Sequence, residues 1–168
     1  TDFLYDYLRG FGLPVHRQEV DEDRTNLLVG SVASARVPLG FLGHIDTVPA
    51  FELEQYEFSE ESGVVAGLGA ADMKGGCAAM IEGLIAHKEA GLETSLMLAL
   101  VVGEEENGDG TRRLLEEYTF ERMIVGEPTD LMACTAHYGY LEMSLQTRGR
   151  RRHASMAGQD HHAIFAML

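Results

Sequence analysis

Cysteine is scarce in this sequence: Cys77 and Cys134 are the only two in 168 residues, and neither belongs to a Cys-x-x-Cys pair. Two thiols cannot staple a domain of this size, so a disulfide framework is excluded and a reducing compartment, the cytoplasm, is the expectation. Basic residues are scarce too. Thirteen lysines and arginines stand against 27 aspartates and glutamates, for a formal charge of −14. Such a surface repels a phosphate backbone over most of its area, which argues against nucleic acid as a partner. Long hydrophobic runs are missing: none approaches the roughly 20 residues of a membrane-spanning helix, and no basic-then-apolar leader opens the chain, so a soluble protein is expected. There are no internal repeats and no low-complexity tracts. The chain opens on Thr1 and stops at Leu168 inside an apolar, helical-looking stretch without a cap, and both ends are expected to be cuts.

What is present suffices for a core. Hydrophobic residues make up 45% of the chain, enough for one main domain and the beginning of a second unit. Phe3 to Leu8, followed by Gly10 and Gly12, predicts the tail of an amphipathic helix with its glycine stop. Short strands are predicted near Val15 to Val20, Asn26 to Val32 and Leu39 to Ile45. Residues 51–62, acidic and aromatic without a clean period, predict a surface loop, and Val64 to Gly69 a short strand entering a glycine turn. Cys77, Met80, Ile81, Leu84 and Ile85 recur at spacings of three and four, so a helix is predicted from Gly75 to His87, ended by Gly91. Ser95 to Val102 is almost wholly apolar, as a strand covered on both faces would be. A helix from about Thr111 to Tyr118, a strand from Met123 to Val125 and a long strand pattern from Met132 to Thr147 complete the order. Strands alternating with helices predict an α/β fold, a sheet sandwiched by helices.

Four polar clusters fall at the ends of predicted strands, where ligands sit in open α/β sheets. They are His44 with Asp46, then Asp72, then Glu104-Glu105-Glu106, then Glu127. Each has a bland reading. A lone histidine at a strand end is most often a hydrogen-bonded structural residue. Asp72, in Gly67-Leu68-Gly69-Ala70-Ala71-Asp72-Met73-Lys74-Gly75-Gly76, can serve as a helix N-cap, and no Gly-Lys-Ser/Thr follows to make a phosphate loop of its glycines. A run of glutamates is commonly a solvated face, and Glu127 before Pro128 can be a turn residue. Two features weigh against these readings taken together. Strand period puts His44 and Asp46 on one face, where the carboxylate can orient the ring. The glutamates directly follow a continuous apolar strand, and like charges gathered there are costly unless a cation compensates them. One imidazole among carboxylates suits a borderline divalent ion such as zinc.

These motifs, His44-x-Asp46, Ala-Asp72-Met-Lys-Gly-Gly, Glu104-Glu105 and Gly-Glu127-Pro-Thr, resemble the dinuclear zinc amidohydrolases and peptidases. That family includes acetylornithine deacetylase, succinyl-diaminopimelate desuccinylase, aminoacylase and glutamate carboxypeptidase. The resemblance runs from about Leu4 to the last residue. It implies a mixed sheet sandwiched by helices, a zinc exopeptidase-like catalytic domain over residues 1–147, and the start of a smaller α+β lid and dimerisation domain over 148–168. It also implies that His44 and Glu127 bind one zinc, Glu105 the other, and that Asp72 bridges them, with Co2+ or Mn2+ as possible replacements. Glu104 would be the general base on the attacking water and Asp46 would hold the His44 ring. Aligning Leu98 to Val102 with the family's strand places Gly103 where an aspartate is common; Glu105 and Glu106 are the alternative register for base and ligand.

Gly149 to Ser155 resembles the entry to the lid, and His153 would there stabilise the tetrahedral oxyanion, delivered across a homodimer. Ala157, Asp160 and His162 stand where the family often has proline, glycine and asparagine. Arg148, Arg150, Arg151 and Arg152 suit either an anionic substrate or a solvated hinge. The family's second zinc takes its remaining histidine from a late segment beyond these residues, so one metal is expected to be held well and the other poorly or not at all. The implied activity is hydrolysis of the amide of a small N-acyl amino acid or peptide, deacetylation first, with desuccinylation or release of lysine or ornithine from a carrier protein as alternatives. A non-catalytic, dimerising homologue is the reading from another class.

Overall fold

Leu96–Val101, six apolar residues in a row, forms the centre of the main sheet, buried along its whole length. The computed structural model describes residues 1–30, 34–50, 56–92, 95–139, 141–150, 153 and 162–164. Its elements are α1 (Asp2–Gly10), β1 (Val15–Glu19), β2 (Thr25–Val29), β3 (Arg36–Val37), β4 (Leu39–His44), β5 (Ser59–Glu61), β6 (Val64–Ala66), α2 (Gly75–Glu89), β7 (Leu96–Val101), α3 (Asp109–Glu117), β8 (Thr119–Phe120) and β9 (Met123–Val125). The chain divides into two compact units, Thr1–Met132 and Ala133–Leu168.

The five-stranded sheet runs β1-β2-β7-β4-β9. β1, β2 and β7 pair antiparallel, whereas β4 lies parallel to both β7 and β9. Strand period two divides β7 between two cores. Leu98 and Leu100 join Leu27, Val29 and the buried residues of α1 and α2, among them Leu8, Ile81 and Leu84. Met97, Ala99 and Val101 face the other way, onto Leu28, Val37 and Leu114 of α3. Full burial of each such aliphatic side chain is worth about 1.5–3 kcal/mol, so this strand anchors both layers. The result is the mixed α/β sheet, with helices on both faces, that alternation of strands and helices predicts.

Register then fixes where chemistry can gather. Because β4, β7 and β9 are parallel, their carboxyl ends share one edge: His44 pairs with Val101, and Leu42 with Val125. The segments after β7 and β9, starting at Val102 and Gly126, therefore leave the sheet beside His44.

Two expectations differ. Residues 59–61, expected in a loop, pair with Val64–Ala66 as an exposed two-stranded ribbon. Residues 51–55 lie outside the described set. No strand occurs among the described residues of the segment from Met132 to Thr147, where Tyr138, Leu141, Met143 and Leu145 are all exposed. Residues 133–147 cluster with the second unit.

Candidate metal centre

His44, the last residue of β4, is 2% exposed, which is deep for an ionisable side chain and demands partners. Its backbone is held by sulfur: the N–H donates to Met73 Sδ at 3.2 Å, and the Cys77 thiol donates to its carbonyl at 3.3 Å. β9 ends at Val125, and the next amide, Gly126 N–H, donates back to Leu42 O at 3.1 Å. The ring is fixed from both sides. Nε2 lies 3.1 Å from Asp72 Oδ1, and Nδ1 lies 3.1 Å from the main-chain oxygen of Asp46.

Asp72 reaches this position from an irregular turn between Gly69 and Gly75, where Asp72 and Met73 leave helical dihedrals and their shared peptide bond is cis. Gly76 brings the start of α2 against the end of β9: a Cβ there would lie 2.0 Å from Gly126 O. Only glycine allows that approach. Glu127 follows Gly126 directly, with Oε1 4.0 Å from His44 Nε2, and Glu104 Oε2 comes to 3.8 Å of the same nitrogen from the end of β7. A cavity of about 160 Å³ opens among His44, Glu104, Glu127 and Met73.

Charge is unbalanced here. Burial pushes the Glu127 carboxyl above the usual carboxylate range, and the nearby Asp72 and Glu104 carboxylates add to the rise. Burial pulls His44 down, but its hydrogen bond to Asp72 and the charges of Asp46, Glu127 and Glu104 outweigh that, so its pKa ends above the ordinary histidine value. Both shifts favour the protonated form, as expected where carboxylates crowd together without a compensating cation.

The ring itself tests the fit of a cation. A neutral imidazole has one donor and one acceptor nitrogen, yet both nitrogens of His44 face oxygens that only accept when Asp72 is ionised. A divalent ion at Nε2 would resolve this, leaving Nδ1–H to donate to Asp46 O, the arrangement typical of a ligating histidine. Among the described residues two donor groups converge within 4.8 Å: His44 with Asp72 and Glu127, and His44 with Glu104 and Glu105. Nitrogen and carboxylate oxygens in this number fit a catalytic zinc with an open position.

The structure thus brings His44, Asp46, Asp72, Glu104, Glu105 and Glu127 to one edge of the sheet. Asp46 differs in detail from its expected role. Its carboxylate Oδ1 stands 3.6 Å from His44 Nδ1, within ion-pair reach but buried without a hydrogen-bond partner, while Oδ2 accepts the Glu105 N–H at 3.1 Å. The main-chain carbonyl holds the ring, and the side chain ties β4 to the acidic loop. Glu106 turns to Arg24, with Oε2 3.8 Å from Nη1, so the Glu104/Glu105 pair rather than Glu105/Glu106 adjoins His44. Met73 and Arg24 are the neighbours that sequence reading misses; thioether contacts carry no period, and Arg24 lies 85 residues from its partner Asp109. His153 belongs to the second unit, where it is exposed, and Arg151, Arg152, Ala157 and Asp160 lie outside the described residues.

Comparison with known proteins places this geometry. Residues 40–163 match the sequence profile of peptidase family M20/M25/M40. A probable carboxypeptidase of Aspergillus clavatus is 30% identical, over 99% of this chain and 43% of its own length. A probable succinyl-diaminopimelate desuccinylase of Staphylococcus epidermidis is 29% identical, over 92% of this chain and 40% of its own. The chain therefore spans about two fifths of the curated relatives it matches. Among solved structures, an M20 family metallo-carboxypeptidase from Sulfolobus solfataricus superposes with a TM-score of 0.56 at 14% identity, covering 74% of this chain and 31% of that one. Human carnosine dipeptidase 1 gives 0.51 at 17%, again covering 74% and 31%. At these identities the two structures speak for the fold.

Proposed function

The chain belongs to peptidase family M20/M25/M40, and from that premise we propose that it forms the metal-binding half of a site hydrolysing the amide bond of a small N-acyl amino acid or short peptide. One observation carries the reading: His44 Nε2 has carboxylates of Asp72, Glu104 and Glu127 within 4.0 Å, each delivered by a different segment to the same sheet edge. His44, Asp72 and Glu127 would hold a divalent cation, with zinc the best match to the donors. When bound, it supplies Lewis acidity toward water and the amide carbonyl. Glu104, about half exposed and lining the cavity, would take a proton from the attacking water and pass it to the leaving nitrogen. Asp46 orients: its carbonyl sets the His44 tautomer, and its carboxylate holds the backbone of Glu105.

The relatives named carboxypeptidase and desuccinylase support a peptide or acyl amino acid as substrate. An acetyl group as the preferred acyl rests on the sequence resemblance alone, as do the His153 role and the homodimer. The test is release of free amino acid from N-acetyl, N-succinyl and dipeptide substrates, with and without chelator. Glu104→Gln is expected to cut turnover by about 10²–10⁴-fold while zinc content stays at the wild-type level. If zinc is lost with activity in that variant, Glu104 is a ligand and not the base.

A further inference from the structure

Three consecutive glutamates leave β7, and something must decide which of them reach the metal centre. We propose that Arg24 is the positioning residue that sorts them, holding Glu106 away so that Glu104 and Glu105 alone face His44. The proposal rests on the metal-site reading above.

Arg24 immediately precedes β2, the neighbour of β7. Its guanidinium is a rigid fork of donors, and here each branch has a job. Nε donates to Asp21 Oδ2 at 2.7 Å, while Asp21 Oδ1 accepts the backbone N–H groups of Asp23 and Arg24, so the fork is anchored in its own turn. Nη2 donates to Asp109 Oδ2 at 2.9 Å, clamping the first residue of α3. Nη1 faces Glu106 at 3.8 Å.

The loop between β7 and α3 is built to receive it. Gly103 takes φ +74°, and a Cβ there would lie 2.6 Å from Arg24 Nη1, so the guanidinium fills the place a side chain would claim. Gly108 N–H donates to Gly103 O at 2.7 Å and Gly110 N–H to Val102 O at 3.0 Å, closing the loop at its base. Asp46 Oδ2 accepts the Glu105 N–H at 3.1 Å. The loop is thus held by a cation at Glu106 and by an acceptor at the Glu105 backbone. Glu106 goes to the cation, and Glu104 and Glu105 go to the metal centre.

Removing the charge of Arg24 frees a third carboxylate on a loop already adjoining a divalent ion, and the donor set should change. The experiment loads the whole chain with Co2+ and records its visible spectrum and dissociation constant for wild type, Arg24→Met, Glu106→Gln and the double variant. Circular dichroism checks that each is folded. Wild type and Glu106→Gln are expected to share one spectrum and one affinity. Arg24→Met should alter the d–d bands and shift the affinity by about 10-fold, a size typical of lost support around a ligand. The double variant should return to the wild-type spectrum, because no third carboxylate remains to intrude. If the double variant stays like Arg24→Met, Arg24 merely supports the fold and the proposal falls. A changed spectrum in Glu106→Gln alone overturns it as well, because Glu106 is then itself a ligand. Should Arg24→Met fail to fold, Arg24→Gln with and without Glu106→Gln carries the same comparison. A folded wild-type chain that takes up no Co2+ overturns the metal reading itself.

Discussion

His44 shows how one residue can couple the site to stability. Its pKa in the metal-free fold is raised, and so is that of Glu127, for the reasons of charge given above. A raised folded-state pKa means the fold holds its proton more tightly than the unfolded chain does. The stability so contributed is complete below the unfolded values, about 4.3 for glutamate and 6.5 for histidine, and is lost as pH rises through the folded ones. Asp2 and Asp21 have the opposite sign, because Arg17 and Arg24 hold their carboxyls below the usual range. Their stability is present above about pH 3.9 and lost only as pH falls below it, so they do not act in the same window. The urea midpoint of the chelated chain should therefore fall as pH rises above about 4.3 and again above about 6.5, and His44→Gln should remove the upper part of the fall. Zinc competes with the same protons, so its stabilising effect should grow with pH. A chelated midpoint that rises over that range would contradict the assignment. The residues behind this were largely legible, because His44, Asp72, the glutamate run and Glu127 each follow an apolar stretch. What was not legible is which atom acts: sequence cannot distinguish the carbonyl of Asp46 from its carboxylate.

Among elements, the contact between α2 and β9 matters most to the site, because it sets Asp72 against Glu127. Two glycines of α2 separate packing from propensity. At Gly76 a Cβ would collide with backbone, 2.0 Å from Gly126 O and 3.0 Å from its carbon, and backbone cannot swing aside. At Gly83 a Cβ would meet nothing within 4 Å. Gly76→Ala should cost about 1–3 kcal/mol in urea denaturation and weaken zinc binding, as overpacking pushes the helix off the strand end. Gly83→Ala should instead stabilise by about 0.5–1 kcal/mol, the helical advantage of alanine, with zinc affinity unchanged. Equal effects at both positions would mean that the approach of α2 to β9 is not what holds Asp72. The same contrast explains what the pattern of residues reveals. β7 and α2 were legible because their own side chains are buried on the faces their periods announce. The alternation from Met132 to Thr147 announces a face to be covered, but Tyr138, Leu141 and Met143 remain exposed and the segment forms no ladder among the described residues. The β5–β6 ribbon was missed for the converse reason, since Ser59-Glu60-Glu61 pairs through backbone alone and carries no apolar signal.

For the whole molecule, the charge of −14 raises the question of how many divalent ions it takes up, since an acidic surface gathers them loosely everywhere. Tight sites should be far fewer. Both donor groups at the centre use His44, and its Nδ1 is already turned to Asp46 O, leaving Nε2 as the one nitrogen available. One imidazole nitrogen cannot serve two ions. His44, Asp72 and Glu127 make a three-ligand set around it, whereas Glu104 and Glu105 without the histidine offer carboxylates alone. Equilibrium dialysis of the 168-residue chain against zinc, in salt high enough to screen the surface, should give one tight equivalent, and His44→Ala should abolish it. The same ion should raise stability by mass action, about 2.7 kcal/mol when free zinc is 100 times the dissociation constant. Two tight equivalents per chain would show that Glu104 and Glu105 complete a second site from donors this geometry does not bring together.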